Sequence, residues 1–374
     1  MIFAIVILIS ILISILSEKL FSINSFLGII AGILSVLPLA IIAGTRNFTV
    51  GTDIGVYGLN YFYRYSSYND LSSIFSAELT TEKGYAILNW LSSRISSNPH
   101  VYFFILNLIG AVLIYFALIN FREYFYLPLG MFIYEVLIWV TSLNLLRQSI
   151  AIALIYFSYK YMFNRKIVRS ILLILLASQF HSSAIVFLLF LGGMLFVNKI
   201  ELTKKHMLIL FICMTTIFAL GGEILQYLEG HSVINERYST YTSIGGYSVQ
   251  GAIFQIILSF IPLVLVFPII KVKWRELDIF ERKVVFLLII TCFANSFQVI
   301  NYQIFGRFSF YFYFFYIIGI PMLIRKIRKT DSRFLYSFMA VAFYIVYFIY
   351  FYYFQGYGGI LPYSSDILDW YFSL

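Results

Sequence analysis

The chain has 374 residues, of which 61% are hydrophobic and 11% charged, with a formal net charge of +9 and a mean hydropathy of +0.89. A soluble domain carries about 25% charge, so the composition excludes a soluble globular protein, and it excludes a disordered one because disorder needs low hydrophobicity. Apolar runs recur along the whole length without two-residue alternation, which excludes a transmembrane barrel and predicts an all-α polytopic integral membrane protein.

A membrane-spanning helix needs about 20 mostly apolar residues. By that template about 12 spans are expected, centred on residues 2–16, 26–43, 101–119, 127–143, 146–161, 168–179, 183–197, 207–220, 251–270, 284–300, 308–324 and 334–354. The first lacks a basic leader and a small-residue cleavage site, so it is expected to be a retained helix. The pair 168–179 and 183–197 is short enough to form a re-entrant hairpin or one broken helix. Cys213 and Cys292 each lie inside an apolar run and are expected to serve packing. No internal repeat or linker is visible, and residues 1–374 are expected to form a single transmembrane domain.

Basic residues cluster in alternate loops, at Lys160–Arg169, Lys199–Lys205, Lys271–Lys283 and Arg325–Arg333. The positive-inside rule makes these loops cytoplasmic and sends both termini outside. The net positive charge is then an inside bias with attraction to anionic lipid, and no basic run has the form of a nucleic-acid motif. The opposite set of loops carries Arg46, Arg64, Lys83, Arg94, Arg147, Arg237 and Arg307. Arginine predominates there, and its planar fork suits phosphate and carboxylate, although an arginine at a helix end also serves as a cap or reaches to lipid headgroups.

Two extracytoplasmic loops are long, 44–100 and 221–250. In the first, Gly51-Thr52-Asp53 predicts a turn with Asp53 capping a helix over 54–64, with Tyr57, Tyr61 and Arg64 on one face. A second amphipathic helix is predicted over 82–96, with Glu82 at its start, where an acid matches the helix dipole. The second loop holds Arg237, Tyr238 and Tyr241, a combination suited to sugar rings or to an interfacial aromatic belt.

The candidate chemical residues lie at the outer ends of these elements. Arg46 could bind an anion, and Asp53 could accept a proton or only cap a helix. Arg147 follows a minimal outer turn, so it sits at or below headgroup level and should face the interior with an anionic partner. His181 falls in a polar break between two apolar runs and could be a base, a proton donor or a phosphate ligand. Arg307 occupies another minimal turn. Glu135 is the one acid expected mid-span, and Asp366 with Asp369 is a weak metal suggestion. No zinc-type histidine spacing occurs, so no metal is expected. Together Arg46, Asp53, Arg147, His181, Arg237 and Arg307 predict a cationic cavity open to the outside, able to hold a polyanionic headgroup such as a lipid pyrophosphate.

The ordered blocks carry a resemblance. Arg46 with Val50-Gly51-Thr52-Asp53 and Tyr57, then Glu82-Lys83-Gly84-Tyr85, Arg147-Gln148-Ser149-Ile150-Ala151 and Phe180-His181-Ser182-Ser183-Ala184, is similar to the EpsG family, a branch of the Wzy-type polysaccharide polymerases. The likeness runs in order to Arg307, with Lys83 departing from the residue often found there. The resemblance implies a bacterial inner-membrane glycosyltransferase with a GT-C-like fold and extracytoplasmic loop helices. It implies undecaprenyl-pyrophosphate-linked oligosaccharides as donor and acceptor, an active site facing the periplasm or outside, and no cofactor, metal or nucleotide sugar. A chain-length regulator and a flippase would be its partners. On that basis Arg147, Arg307 and Arg46 are assigned to the pyrophosphate, Asp53 and His181 to the proton, and Tyr57, Glu82, Arg237, Tyr238 and Tyr241 to the glycan or a lid over it. The rival readings are an O-antigen ligase, a lipid-linked sugar flippase or transporter, and a membrane acyltransferase.

Overall fold

The computed structural model describes residues 2–76, 81–220, 223 and 248–371. All twelve apolar segments are helical, and the only strands among the described residues are Ser364–Ser365 and Trp370–Tyr371, paired antiparallel. Five helices are long and apolar enough to cross a membrane: Ile2–Phe21, Ser25–Thr45, Pro99–Ile119, Val249–Glu276 and Thr330–Phe354. Shorter apolar helices cover Leu127–Ser142, Ile167–Ser178, Ser182–Val197 and Phe314–Arg325. The pair flanking His181 is thus two short helices separated by a break. Both cysteines are free; Cys292 is buried, whereas Cys213 is exposed on its helix and does not pack inside the protein.

The chain divides into two compact units, residues 1–195 with 341–374, and residues 196–340. In the first unit, Ile2–Phe21 packs on Ser25–Thr45, which packs on Pro99–Ile119, which in turn packs on Leu146–Phe163. Small polar residues line the buried side of the first helix: Ser10, Ser14 and Ser17 are fully buried, and the Ser17 hydroxyl donates to the Gly28 carbonyl of the second helix at 2.7 Å. Helix starts follow local chemistry. The Asn24 side chain accepts from the N–H groups of Phe26 and Leu27, and Asn98 caps Pro99–Ile119 with proline in its first turn.

The second unit is organised around Ile279–Ser296, which packs against Val249–Lys273, Lys204–Ala219 and Phe314–Arg325. It starts in a reciprocal capping box between Asp278 and Glu281. Phe211, Phe260 and Phe293 form edge-to-face pairs at its centre, with centroids 5.0–6.2 Å apart. The three basic loops of this unit meet: Arg282 pairs with Glu201, Lys326 with Glu281, and both Lys273 and Arg328 with Glu276. Residues separated by tens of positions therefore share one end of the unit, as alternate-loop topology requires.

Candidate functional site

The long loop of the first unit begins where Ser25–Thr45 ends, with Arg46 as an extended C-cap. The chain then turns through Gly51, whose φ of +106° is open to glycine. Its N–H donates to the Gly359 carbonyl at 2.9 Å, and the next N–H, from Thr52, donates to Gly358 at 2.9 Å. Asn144 fixes the other side of the turn. Its Oδ1 accepts from the Asp53 N–H at 2.8 Å and from the Thr52 hydroxyl at 3.1 Å. Asp53 stands at the N-cap position but its side chain makes no capping bond; the first helical N–H, from Ile54, donates to the Gly51 carbonyl at 3.3 Å instead.

The helix predicted over 54–64 is a π-helical turn, Ile54–Leu59, continuing into an α-helix, Asn60–Ser66. Tyr57, Tyr61, Tyr65 and Tyr68 stack in sequence, with centroids 5.7–6.2 Å apart. The stripe thus runs through Tyr65 and Tyr68, and Arg64 is exposed off it. A short helix at Leu71–Ser76, not anticipated from sequence, follows.

The second loop helix forms over Lys83–Ile95, close to the predicted 82–96. Its first turn docks against the break between Ile167–Ser178 and Ser182–Val186. Tyr85 N–H donates to the Gln179 carbonyl at 3.2 Å. Gly84 lies so close to that carbonyl that a Cβ would stand 2.7 Å from its oxygen, which is why a residue without a side chain is needed there. Thr81, immediately before, meets the Tyr65 hydroxyl.

This docking brings three sequence blocks to one point. Arg147 is the second residue of Leu146–Phe163. Its Nη1 donates to Glu82 Oε2 at 2.8 Å, with the two side chains 17% and 15% exposed. The other carboxylate oxygen, Oε1, accepts the Ser182 N–H at 3.0 Å. Arg147 therefore has the anionic partner expected of it, and Glu82 serves that ion pair while making no capping bond to its own helix. The Arg147 guanidinium lies 4.4 Å from the centre of the Tyr57 ring, a cation–π contact that also covers ring surface assigned to a glycan.

His181 adjoins this knot. Its Nδ1 is 2.7 Å from the Ser183 hydroxyl, and its extended backbone (φ −154°, ψ 120°) aims the Ser182 N–H at Glu82. Tyr85 ties the knot to the interior: its hydroxyl donates to the Tyr57 carbonyl at 2.8 Å and accepts from Tyr102 at 2.6 Å. Burial pushes the Tyr85 phenol up from its ordinary range, and both Arg147 and Asp53 are near enough to act on it. Tyr85 is therefore a neutral hydroxyl donor at physiological pH.

Arg46 is placed differently. It is 1% exposed, packs 5.3 Å from the Phe103 ring centre, and has Nε and Nη1 without hydrogen-bond partners. Burial pushes its pKa down to about 10, offset in part by Tyr363 and Tyr102. The C-terminal hairpin closes this region. Asn47 exchanges two bonds with Asp366, at 2.7 and 2.8 Å, and Ser365 donates to the Thr45 carbonyl. Asp366 is thereby engaged with Asn47, Asp369 sits in the hairpin turn at φ +49°, and among the described residues no three His, Cys, Asp or Glu are grouped to hold a metal.

Arg307 belongs to the second unit. It starts the short helix Arg307–Ser309 after a π-helical turn, Tyr302–Gly306, that packs on the end of Ile279–Ser296. Glu135 is fully buried in a π-helical turn of the first unit, where its Oε1 accepts from the Ser10 hydroxyl at 2.5 Å. Arg237, Tyr238 and Tyr241 lie outside the described residues. Sequence reasoning missed Asn144, Tyr85 and Tyr102 as site-forming residues. Asn144 stood three positions before Arg147 with no charge to mark it, and Tyr102 is one of 31 tyrosines.

A family model described as the EpsG family matches residues 29–365. No curated protein and no solved structure matches the sequence.

Proposed function

We propose, from the premise that this chain belongs to the EpsG family of Wzy-type polysaccharide polymerases, that it joins lipid-linked oligosaccharide repeat units at the outer face of a bacterial cytoplasmic membrane. Family membership makes it a multi-pass membrane protein of polysaccharide biosynthesis with glycosyltransferase-type activity. The finer reading is ours. The donor is a growing glycan on undecaprenyl pyrophosphate, the acceptor is the non-reducing end of the next lipid-linked unit, and the fold is of the GT-C type without a nucleotide sugar.

In the reaction the bond from the donor's anomeric carbon to the pyrophosphate oxygen breaks, and its electron pair stays on the pyrophosphate. An acceptor hydroxyl forms the new glycosidic bond and gives up its proton. Arg147 stabilises the charge that develops on the leaving pyrophosphate, where a preorganised cation contributes most. His181, next to the N–H that shares a carboxylate with Arg147, receives the proton, with Asp53 orienting the acceptor sugar. Arg46 acts from beneath the site by its charge, and Arg307 keeps its pyrophosphate assignment on sequence grounds. A chain-length regulator and a flippase complete the assembly. The observation that carries this reading is the convergence of the Glu82, Arg147 and His181 blocks at one ion pair.

Deleting the gene in its host and resolving surface and lipid-linked glycans on a gel tests the proposal. A single repeat unit in place of a ladder is expected. Polymer accumulating on the lipid carrier, repeat units retained inside the cell, or an unchanged ladder would each overturn it.

A further inference from the structure

Glu82 divides its carboxylate between two donors that belong to other parts of the chain. The Arg147 guanidinium takes one oxygen at 2.8 Å and the Ser182 N–H takes the other at 3.0 Å. Although Glu82 is the N-cap residue of Lys83–Ile95, its side chain makes no capping bond there. Each donor also has a contact of its own. Tyr57 backs the guanidinium at 4.4 Å, and the Ser182 amide is held by the extended backbone of His181. A guanidinium and a backbone amide set to receive two oxygens of one anionic group meet the geometric demand of a phosphoryl group as well as that of a carboxylate.

We infer that Arg147 and Ser182 N–H form a phosphate-binding site for the donor pyrophosphate and that the Glu82 carboxylate is its resident occupant, displaced when the pyrophosphate arrives. The inference rests on the polymerase reading above. The backbone on either side of Glu82 is anchored, by Thr81 to Tyr65 and by Tyr85 to Gln179. Displacement is therefore a rotation of the Glu82 side chain and leaves its helix docked. Charge decides the exchange. A pyrophosphate carries more negative charge than the one carboxylate it replaces, whereas a neutral sugar cannot compete.

The test is calorimetric titration of inorganic pyrophosphate into the full-length chain in nanodiscs. Glu82→Gln keeps the side-chain volume and removes the competing charge, and is expected to bind about tenfold more tightly than the native chain. Glu82→Asp, one methylene too short to span both donors, is expected to shift affinity in the same direction by about threefold. Equal or weaker binding in both variants would mean that Glu82 only positions Arg147, and would overturn the inference.

Ser182→Pro deletes the amide donor in a place that tolerates it. His181 already has the extended conformation favoured before proline, and residue 182 opens a helical turn. In the Glu82→Gln background it should abolish the gain in affinity, and retention of the gain would equally overturn the inference. Polymer formation by the native chain from lipid-linked repeat units is measured in the same nanodiscs. Its absence defeats the polymerase reading, whereas polymer formation with unchanged pyrophosphate affinity in the Glu82 variants defeats this inference alone.

Discussion

The surroundings of Arg147 and of Arg46 differ in the way each guanidinium is balanced. Both arginines mark the ends of helices in the first unit, and both carry the same sequence-based assignment. Arg147 is partly exposed and ion-paired to Glu82 from a separate helix. Arg46 is enclosed at 1% exposure, against Phe103 and beside Tyr102 and Tyr363, with two of its nitrogens unpartnered. An arginine on an ion pair at the surface can exchange its partner for a substrate anion. One sealed under the C-terminal hairpin can act on such an anion only through its field. The two are joined by the bonds from Tyr102 to Tyr85 and from Tyr85 to the Tyr57 carbonyl.

The steepest way to break this comparison is Arg147→Ala. Losing a cation that meets the leaving group should reduce polymer formation by about a hundredfold or more at normal protein abundance. Near-normal ladders, with abundance checked by immunoblot, would remove Arg147 from the site. Gly84→Ala should come next. Its new Cβ would lie 2.7 Å from the Gln179 oxygen, and relieving that clash undocks the first turn from the Ser182 amide. Such overpacking costs about 1–3 kcal/mol, read as a lower melting temperature together with a loss of about tenfold in polymer formation.

Arg46→Met sharpens the contrast. It keeps much of the volume and removes a buried cation, an exchange that is often neutral or stabilising. An undiminished melting temperature with a loss of polymer formation below about tenfold is expected. A loss as steep as that of Arg147→Ala, in a stable protein, would show that Arg46 touches the substrate. The smallest effect is expected from Tyr102→Phe, which deletes one buried hydrogen bond worth about 1 kcal/mol. A thermal melt that separates it from the native chain by more than Gly84→Ala does would show that the tyrosine link, and not the docking of Gly84, holds the site together.

Much of the site was legible as separate blocks. The depth of Arg147 after a minimal turn predicted an anionic partner, and the amphipathic patterns at 54–64 and 82–96 predicted helices that the structure contains. The identity of the partner was not legible. Glu82 looked like a dipole-matching acid, because an acid at a helix start has a sufficient local explanation. Asp53 looked like a cap for the same reason, yet it is the Asp53 amide that is bound, by Asn144. Tyr57 was assigned to sugar, and only the position of the Arg147 helix reveals that a guanidinium lies over its ring.

The sequence alone determined that this chain is a membrane protein built of helices, and where its long apolar segments run. Hydrophobicity adds up residue by residue along a segment, so it survives reading in one dimension. The tertiary structure decided which residues meet: Glu82 with Arg147 across 65 positions, Asp53 with Asn144 across 91, and Ser182 with Glu82 across 100. A hydrogen bond near 3 Å requires two backbones to be placed to within a fraction of an ångström, and that placement depends on the packing of every helix between them.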